Sequence, residues 1–249
     1  MNEISVSNII VSTKSKSKPK ETVFIFSSHS DDFVIGCGGT IAKYAAAEID
    51  VRCYVFSYGE KSHPWMAVEE VKAMRAKECY HASKILGCNT KIIDLRELKF
   101  RKDAKSKGTV KFLEKQIVKH KPSKIFVHSK EDPHPDHKAV HAITMQLINR
   151  IDQGIIPEVY VYSVWNPFEF KTEYPAMFVD IKETFEKKLE AMRAFPSQRI
   201  HTAFPVFMLL FRAFRDGLYS RHRLAEKFFL VKTNNKKTLE KKLEMNLRK

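Results

Sequence analysis

Short apolar runs with strand character recur along the chain, and each is followed by a stretch whose apolar residues repeat at helical spacing. The strand-like runs are Val23–Ser27, Val51–Ser57, Lys91–Leu95, Lys124–His128 and Val159–Val164. The helical patterns between and after them are Gly39–Glu48, Met66–Leu86, Thr109–His120, His137–Asn149 and Ile181–Arg193. Gly87 follows Ile85-Leu86 where a helix-ending glycine belongs. Strands that alternate with helices need crossover connections, so the pattern predicts an α/β fold in three layers: a mainly parallel sheet with helices on both faces. No internal repeat is evident.

The two ends of the chain read differently. Residues 1–21 are polar and basic and predict a flexible segment; 22–235 form one catalytic-sized domain, and 236–249 a charged tail. Between them, Arg199–Arg223 interleaves Phe204, Phe207, Phe211, Phe214 and Leu218 with Arg212, Arg215, Arg221 and Arg223. Such a stripe suits anionic lipid or an active-site mouth. More often such a stripe packs on the protein's own core or on a partner subunit in a homo-oligomer, and that is the expectation.

Composition narrows the class. The 249 residues are 43% hydrophobic and include 18 Phe, enough for a buried core. The 44 Lys and Arg against 29 Asp and Glu leave a charge of +15, which favours anionic partners, yet much of it lies in the two ends. Aromatics are not interleaved with a basic stripe as a nucleic-acid surface requires, so no nucleic acid is expected as partner. Cys37, Cys53, Cys79 and Cys88 form no CxxC pair, as expected in a reducing compartment. The longest apolar run, Ala203–Phe211, contains Pro205 and is about half a membrane span, so no transmembrane segment is expected. With no signal-like leader, a cytoplasmic protein is the expectation.

Two short segments hold the candidate chemistry. Ser28-His29-Ser30-Asp31-Asp32 follows the first strand, and Asp132-Pro133-His134-Pro135-Asp136-His137 follows the fourth. The carboxyl ends of strands are where an α/β sheet gathers ligands. A His-Asp pair from one loop and a His from the other supply three N/O ligands for Zn²⁺, with a position left for water. Neighbouring carboxylates at Asp31-Asp32 allow one to bind metal while the other takes a proton from water acidified by the ion. An N-cap before the Gly39 helix would need only one Asp and would not call for His29. In the second segment, His137 and His141 share a helix face at i, i+4 spacing, while His134 and His137 are the competing pair. Asp136 is placed to orient one of these rings. The glycines of Gly36-Cys37-Gly38-Gly39 are expected to fold a tight turn and bring the helix close to the sheet. His63, His81, His120, His128, His201 and His222 are isolated and expected at the surface or satisfied in structure. The residues by themselves reach a mononuclear metal hydrolase, with the scissile bond unnamed.

These motifs resemble the PIG-L/LmbE-type family of zinc-dependent N-deacetylases. Its H-P-D-D-E segment and following G-x-G-G-T are matched by His29-Ser30-Asp31-Asp32-Phe33 and Gly36-Cys37-Gly38-Gly39-Thr40, and its H-P-D-H by His134-Pro135-Asp136-His137. Arg75-Ala76-Lys77-Glu78 matches its R-x-x-E helix. Val179-Asp180-Ile181, Lys188-Leu189-Glu190-Ala191, Ser197-Gln198 and Ala225-Glu226-Lys227-Phe228 match its later pattern. The resemblance runs from about Val23 to Val231 and implies a Rossmann-like fold. It implies His29, Asp32 and His137 as zinc ligands, which demotes His141. It also implies Asp31 as general base, His134 as the residue that polarises the amide and protonates the amine, and Arg75 as a substrate contact; a helix Arg paired with Glu78 is the sober alternative. Ser30 for Pro is expected to loosen the loop. Phe33 for Glu is expected to remove a carboxylate near the metal.

The resulting expectation is an enzyme with one Zn²⁺ per chain that removes acetyl from an N-acetylated amino sugar or its conjugate, a small-molecule substrate. The alternatives are a related zinc amidase for another acyl or carbamoyl group, and a non-catalytic binding subunit.

Overall fold

Among the described residues, seven strands form one sheet in the order β3-β2-β1-β4-β5-β7-β6. The computed structural model describes residues 21–152, 154, 156–166 and 173–234, with no side-chain description for 199–205. The expected end segments 1–21 and 236–249 therefore lie outside the described residues, apart from Glu21. The strands are β1 Thr22–Ser27, β2 Asp50–Val55, β3 Asn89–Ile92, β4 Lys124–His128, β5 Glu158–Tyr162, β6 Ala176–Asp180 and β7 Ala225–Lys232. The helices are α1 Asp32–Ala46, α2 Val68–Leu86, α3 Phe100–Ser106, α4 Thr109–His120, α5 Pro135–Ile148, α6 Phe185–Arg193 and α7 Arg199–Ser220. β1 to β5 pair in parallel, as the alternating pattern predicts, while β7 joins β5 and β6 antiparallel.

Alternation within β1 feeds two cores. Val23 and Ile25 turn to the face covered by α1, α2, α6 and α7, where Phe33, Ile41, Leu86, Met192 and Leu209 are buried. Phe24 and Phe26 turn to the other face, with Leu113, Ile117, Val140 and Leu147 of α4 and α5. A period of two on a strand buried on both sides explains why every β1 residue is apolar or small. All four cysteines are free and buried. No helix among the described residues is long and apolar enough to cross a membrane.

Two expectations are corrected. α1 begins at Asp32 rather than Gly39, so Gly36, Gly38 and Gly39 lie inside the helix and fold no turn. Their value is close approach: a Cβ on Gly36 would fall 2.2 Å from Tyr162 Cδ2, and one on Gly39 2.8 Å from Ile181 Cβ. Ser30, in place of Pro, is fully buried and its hydroxyl donates to Tyr58 O at 2.9 Å. α3, β6 and β7 also stand where no regular element was expected. Within α7, Met208, Leu209 and Ala213 face the core, while Phe207, Leu210, Phe211, Phe214 and Leu218 remain exposed.

Candidate metal centre

The chain runs from β1 to β2 and β3 on one side, then returns to place β4 on the other side of β1. The loops leaving β1 and β4 therefore diverge at a topological switch point, where an open α/β sheet forms its ligand crevice. His29 and Asp31 lie in the first loop and Asp32 opens α1. His134 caps α5, whose first turn carries Asp136 and His137. Pro135 at the first helical position fixes the backbone for this start without removing a needed donor.

Asp32 is the hub. Its Oδ2 lies 3.2 Å from His29 Nδ1 and 3.2 Å from His137 Nε2. The same oxygen accepts the backbone N–H of His29 at 2.8 Å, which pins the loop. Ligands on a tetrahedral ion with bonds of about 2.0 Å stand roughly 3.3 Å apart, so the three atoms are spaced as zinc ligands are. His137 is fully buried, and neither of its ring nitrogens has a hydrogen-bond partner, Nε2 facing this carboxylate and Nδ1 facing Asp132. A buried imidazole nitrogen left without a partner is costly unless a further group engages it. The residues present thus fit a divalent cation.

Two other groups of side chains share members with this one, His29–His134–Asp136 and His128–Asp132–His137. Several of their atoms already accept hydrogen bonds, as Asp32 Oδ2 does in the His29, Asp32 and His137 group. His134 Nδ1 accepts the N–H of Asp136 at 3.2 Å, and both carboxylate oxygens of Asp136 accept the N–H of Leu98 at 3.0 Å. His128 Nε2 accepts the N–H of Ser28 at 2.9 Å. Asp132 accepts from the backbone of His134, Val164 and Trp165.

Electrostatics follow from burial among carboxylates. Burial opposes a charged His29, but Asp136 and Asp32 outweigh it and raise its pKa to about 10. For His137, burial is overcome by Asp32 and Asp132, raising it to about 9. Burial also works against an ionised Asp32, yet His137 and His29 hold it well below the usual carboxylate range. His128 goes the other way: burial, then the neighbouring His137, keep it well below the ordinary histidine value.

Around this centre is a crevice of about 380 Å³ whose lining includes His29, Asp31, Arg75, Glu97, His134 and Trp165. Asp31 occupies the N-cap position of α1, but its side chain caps nothing. Instead its Oδ2 meets Arg75 Nη2 at 3.2 Å. Arg75 is only 2% exposed; it also donates from Nε to Tyr58 O at 3.3 Å and approaches Glu78 Oε2 at 3.5 Å. Glu78 in turn accepts the N–H and hydroxyl of Ser197. Both sequence readings of Arg75 thus have a geometric counterpart, since it pairs with Glu78 and lines the crevice.

His141 lies away from the centre, with Nδ1 2.9 Å from His128 O. Asp136 Oδ2 stands 3.4 Å from His29 Nε2. Phe33 is fully buried in the core, but a carboxylate still approaches the site: Glu97 Oε1 lies 3.4 Å from His29 Nε2. Three participants went unrecognised as site residues. Glu97 comes from an irregular loop that no periodicity marks. Asp132 opens the second motif and contacts His137 Nδ1 at 2.9 Å. His128, expected to be isolated, is fully buried and stacked on His137 with ring centroids 3.9 Å apart. Its position as the last residue of a buried strand was the available signal.

Comparison with known proteins agrees with this geometry. A 4-oxalmesaconate hydratase of Pseudomonas putida is 27% identical over 204 residues, covering 75% of this chain and 78% of its own. A probable N-acetyl-alpha-D-glucosaminyl L-malate deacetylase 2 of Bacillus anthracis is 27% identical over 191 residues, covering 73% and 83%. Among solved structures, the N,N'-diacetylchitobiose deacetylase of Pyrococcus horikoshii superposes with a TM-score of 0.68 at 25% identity, over 84% of this chain and 82% of that one. The 4-carboxy-2-hydroxymuconate hydratase of Pseudomonas putida shares the fold, with a TM-score of 0.74 at 24% identity over 86% and 97%. The family described as PIG-L: GlcNAc-PI de-N-acetylase matches residues 24–148, half of the sequence including both motif loops, and the chain belongs to that family.

Proposed function

We propose that this protein is a zinc-dependent hydrolase that removes the acetyl group from an N-acetylated amino sugar or its conjugate. The observation that carries the reading is the spacing of His29, Asp32 and His137 around one point, with Asp31 beside it free of any capping duty. His29 Nδ1, Asp32 Oδ2 and His137 Nε2 would hold the ion. Bound there, zinc would act as a Lewis acid on the acyl oxygen and acidify water.

The chain's own residues divide the remaining work. Arg75 fixes the Asp31 carboxylate, which accepts the proton of the attacking water as the new C–O bond forms. His134 Nδ1 already accepts a hydrogen bond, so a neutral ring carries its proton on Nε2 and can donate it towards the acyl oxygen as charge develops. When the C–N bond breaks, a proton from His134 Nε2 or the one held by Asp31 goes to the leaving nitrogen, giving a free amine and acetate. With Nδ1 engaged as acceptor, the Nε2–H of His134 can polarise the acyl oxygen and is also a candidate donor to the leaving nitrogen. Arg75, buried and held by two carboxylates, positions the base.

The similarity to the Pseudomonas putida hydratase supports a second reading, addition of water to an unsaturated carboxylic acid at the same centre. One pair of assays separates the two. Zinc-loaded protein should release acetate from diacetylchitobiose or another N-acetylglucosamine conjugate, and Asp31→Asn should lower kcat by roughly 100- to 10,000-fold with the fold intact. Loss of the ultraviolet absorbance of a conjugated unsaturated dicarboxylate, with no acetate released from any acetylated sugar, would replace the deacetylase reading with the hydratase one.

A further inference from the structure

On the flank of the sheet opposite α1, helices α3, α4 and α5 enclose a groove of about 760 Å³, larger than the crevice at the metal centre. Its apolar floor is made by Ala104, Val110, Ala142 and Ile143, one or two from each helix. Its rim carries Arg101, Lys105, Lys111 and Arg150, and no carboxylate lines it. None of these four cations makes an ion pair among the described residues. Four exposed positive charges around one concavity raise the local potential and attract anions to it.

The backbone adds to the same field. α4 starts at this groove: Gly108, its N-cap, and Val110 both line it. The cap has φ +65° and offers no side-chain acceptor, and no acidic residue occupies the first turn, so the orphan N–H groups and the positive end of the helix dipole are uncompensated. Lys111 stands in this first turn. Guanidinium, ammonium and helix-terminal N–H donors together match phosphate oxygens.

We propose that this groove binds a small molecule bearing a di- or triphosphate group, its phosphates held by Arg101, Lys105, Lys111, Arg150 and the amino end of α4. The cavity lies within the size range of small-molecule sites and accommodates an organic group against its apolar floor.

Isothermal titration calorimetry on the full-length protein tests the proposal without reference to the reaction at the metal centre. Tripolyphosphate and ATP are the two probes; the first measures the phosphate contribution alone, the second adds an organic group. Saturable binding at one site per chain is expected, weakened at least tenfold in Lys111→Ala/Arg150→Ala. A control, Lys84→Ala/Lys187→Ala, removes the same charge from α2 and α6 and should bind as the wild type does. Equal weakening in both variants would reduce the effect to net charge and overturn the proposal, as would absence of saturable binding by either probe. Saturable binding of RNA alone, indifferent to the groove variant, would overturn it too. Unchanged circular dichroism checks that both variants fold.

Discussion

Asp132 Oδ1 lies 2.9 Å from His137 Nδ1, on the side of the ring turned away from Asp32. The other oxygen of Asp132 accepts the N–H groups of Val164 and Trp165, so the carboxylate joins the loop after β4 to the end of β5. A carboxylate behind a ligating imidazole fixes its tautomer and raises its basicity. Asp132→Asn is therefore expected to remain folded while zinc affinity falls about 10- to 100-fold. Competition with a chromophoric chelator measures this, and an unchanged affinity would remove Asp132 from the account.

Gly36 is the closest packing point on α1. An added Cβ would fall 2.2 Å from the Tyr162 ring, whose hydroxyl donates to Phe26 O at 2.9 Å and lies 3.2 Å from His128 Nε2. Gly36→Ala should lose about 1–3 kcal/mol in urea unfolding, the usual result of forcing volume into a full core. Gly154→Ala, whose new Cβ meets only Asp152 Oδ1 at 3.6 Å, should stay within about 0.5 kcal/mol of the wild type.

Lys188 and Glu226 form a buried ion pair at 2.6 Å behind α1. Glu226 also accepts the backbone N–H groups of Gly39 and Thr40, and so ties α6 and β7 to the helix that carries Asp32. Removing one member strands the other charge in the core. Lys188→Met is expected to cost about 3–5 kcal/mol in the same unfolding experiment. A loss below about 1 kcal/mol would show that solvent reaches the pair.

Acid sensitivity has a further source in the Arg96–Asp103 pair. Hydrogen bonds from Arg96 hold the Asp103 carboxyl well below the usual carboxylate range. A depressed folded-state pKa contributes stability above the unfolded value of about 3.9, and that contribution is lost as pH falls towards the folded value. The Tm difference between wild type and Asp103→Asn should therefore be full at pH 7 and shrink below about pH 4. A difference that grows on acidification would contradict the sign.

The parallel half of the fold was legible because strands buried on both faces leave continuous apolar runs: β4 and α4 match their expected limits residue for residue. α1 was read seven residues short because its glycines erase the helical pattern, and their reason lies in Tyr162 and Ile181, far along the chain. β7 was seen only as a motif; its antiparallel pairing with β5 depends on a return of the chain that no local pattern encodes. At the site, histidines and carboxylates packed into two short loops announced themselves. His128 and Glu97 did not, since a strand-end His and a loop Glu look ordinary until the fold sets them beside His137 and His29.

The most direct test of the metal centre is elemental analysis of zinc retained per chain after gel filtration, in wild type, Asp31→Asn and Asp32→Ala. The account predicts about one ion per chain in wild type and Asp31→Asn, and near none in Asp32→Ala. Retention by Asp32→Ala equal to wild type would contradict it.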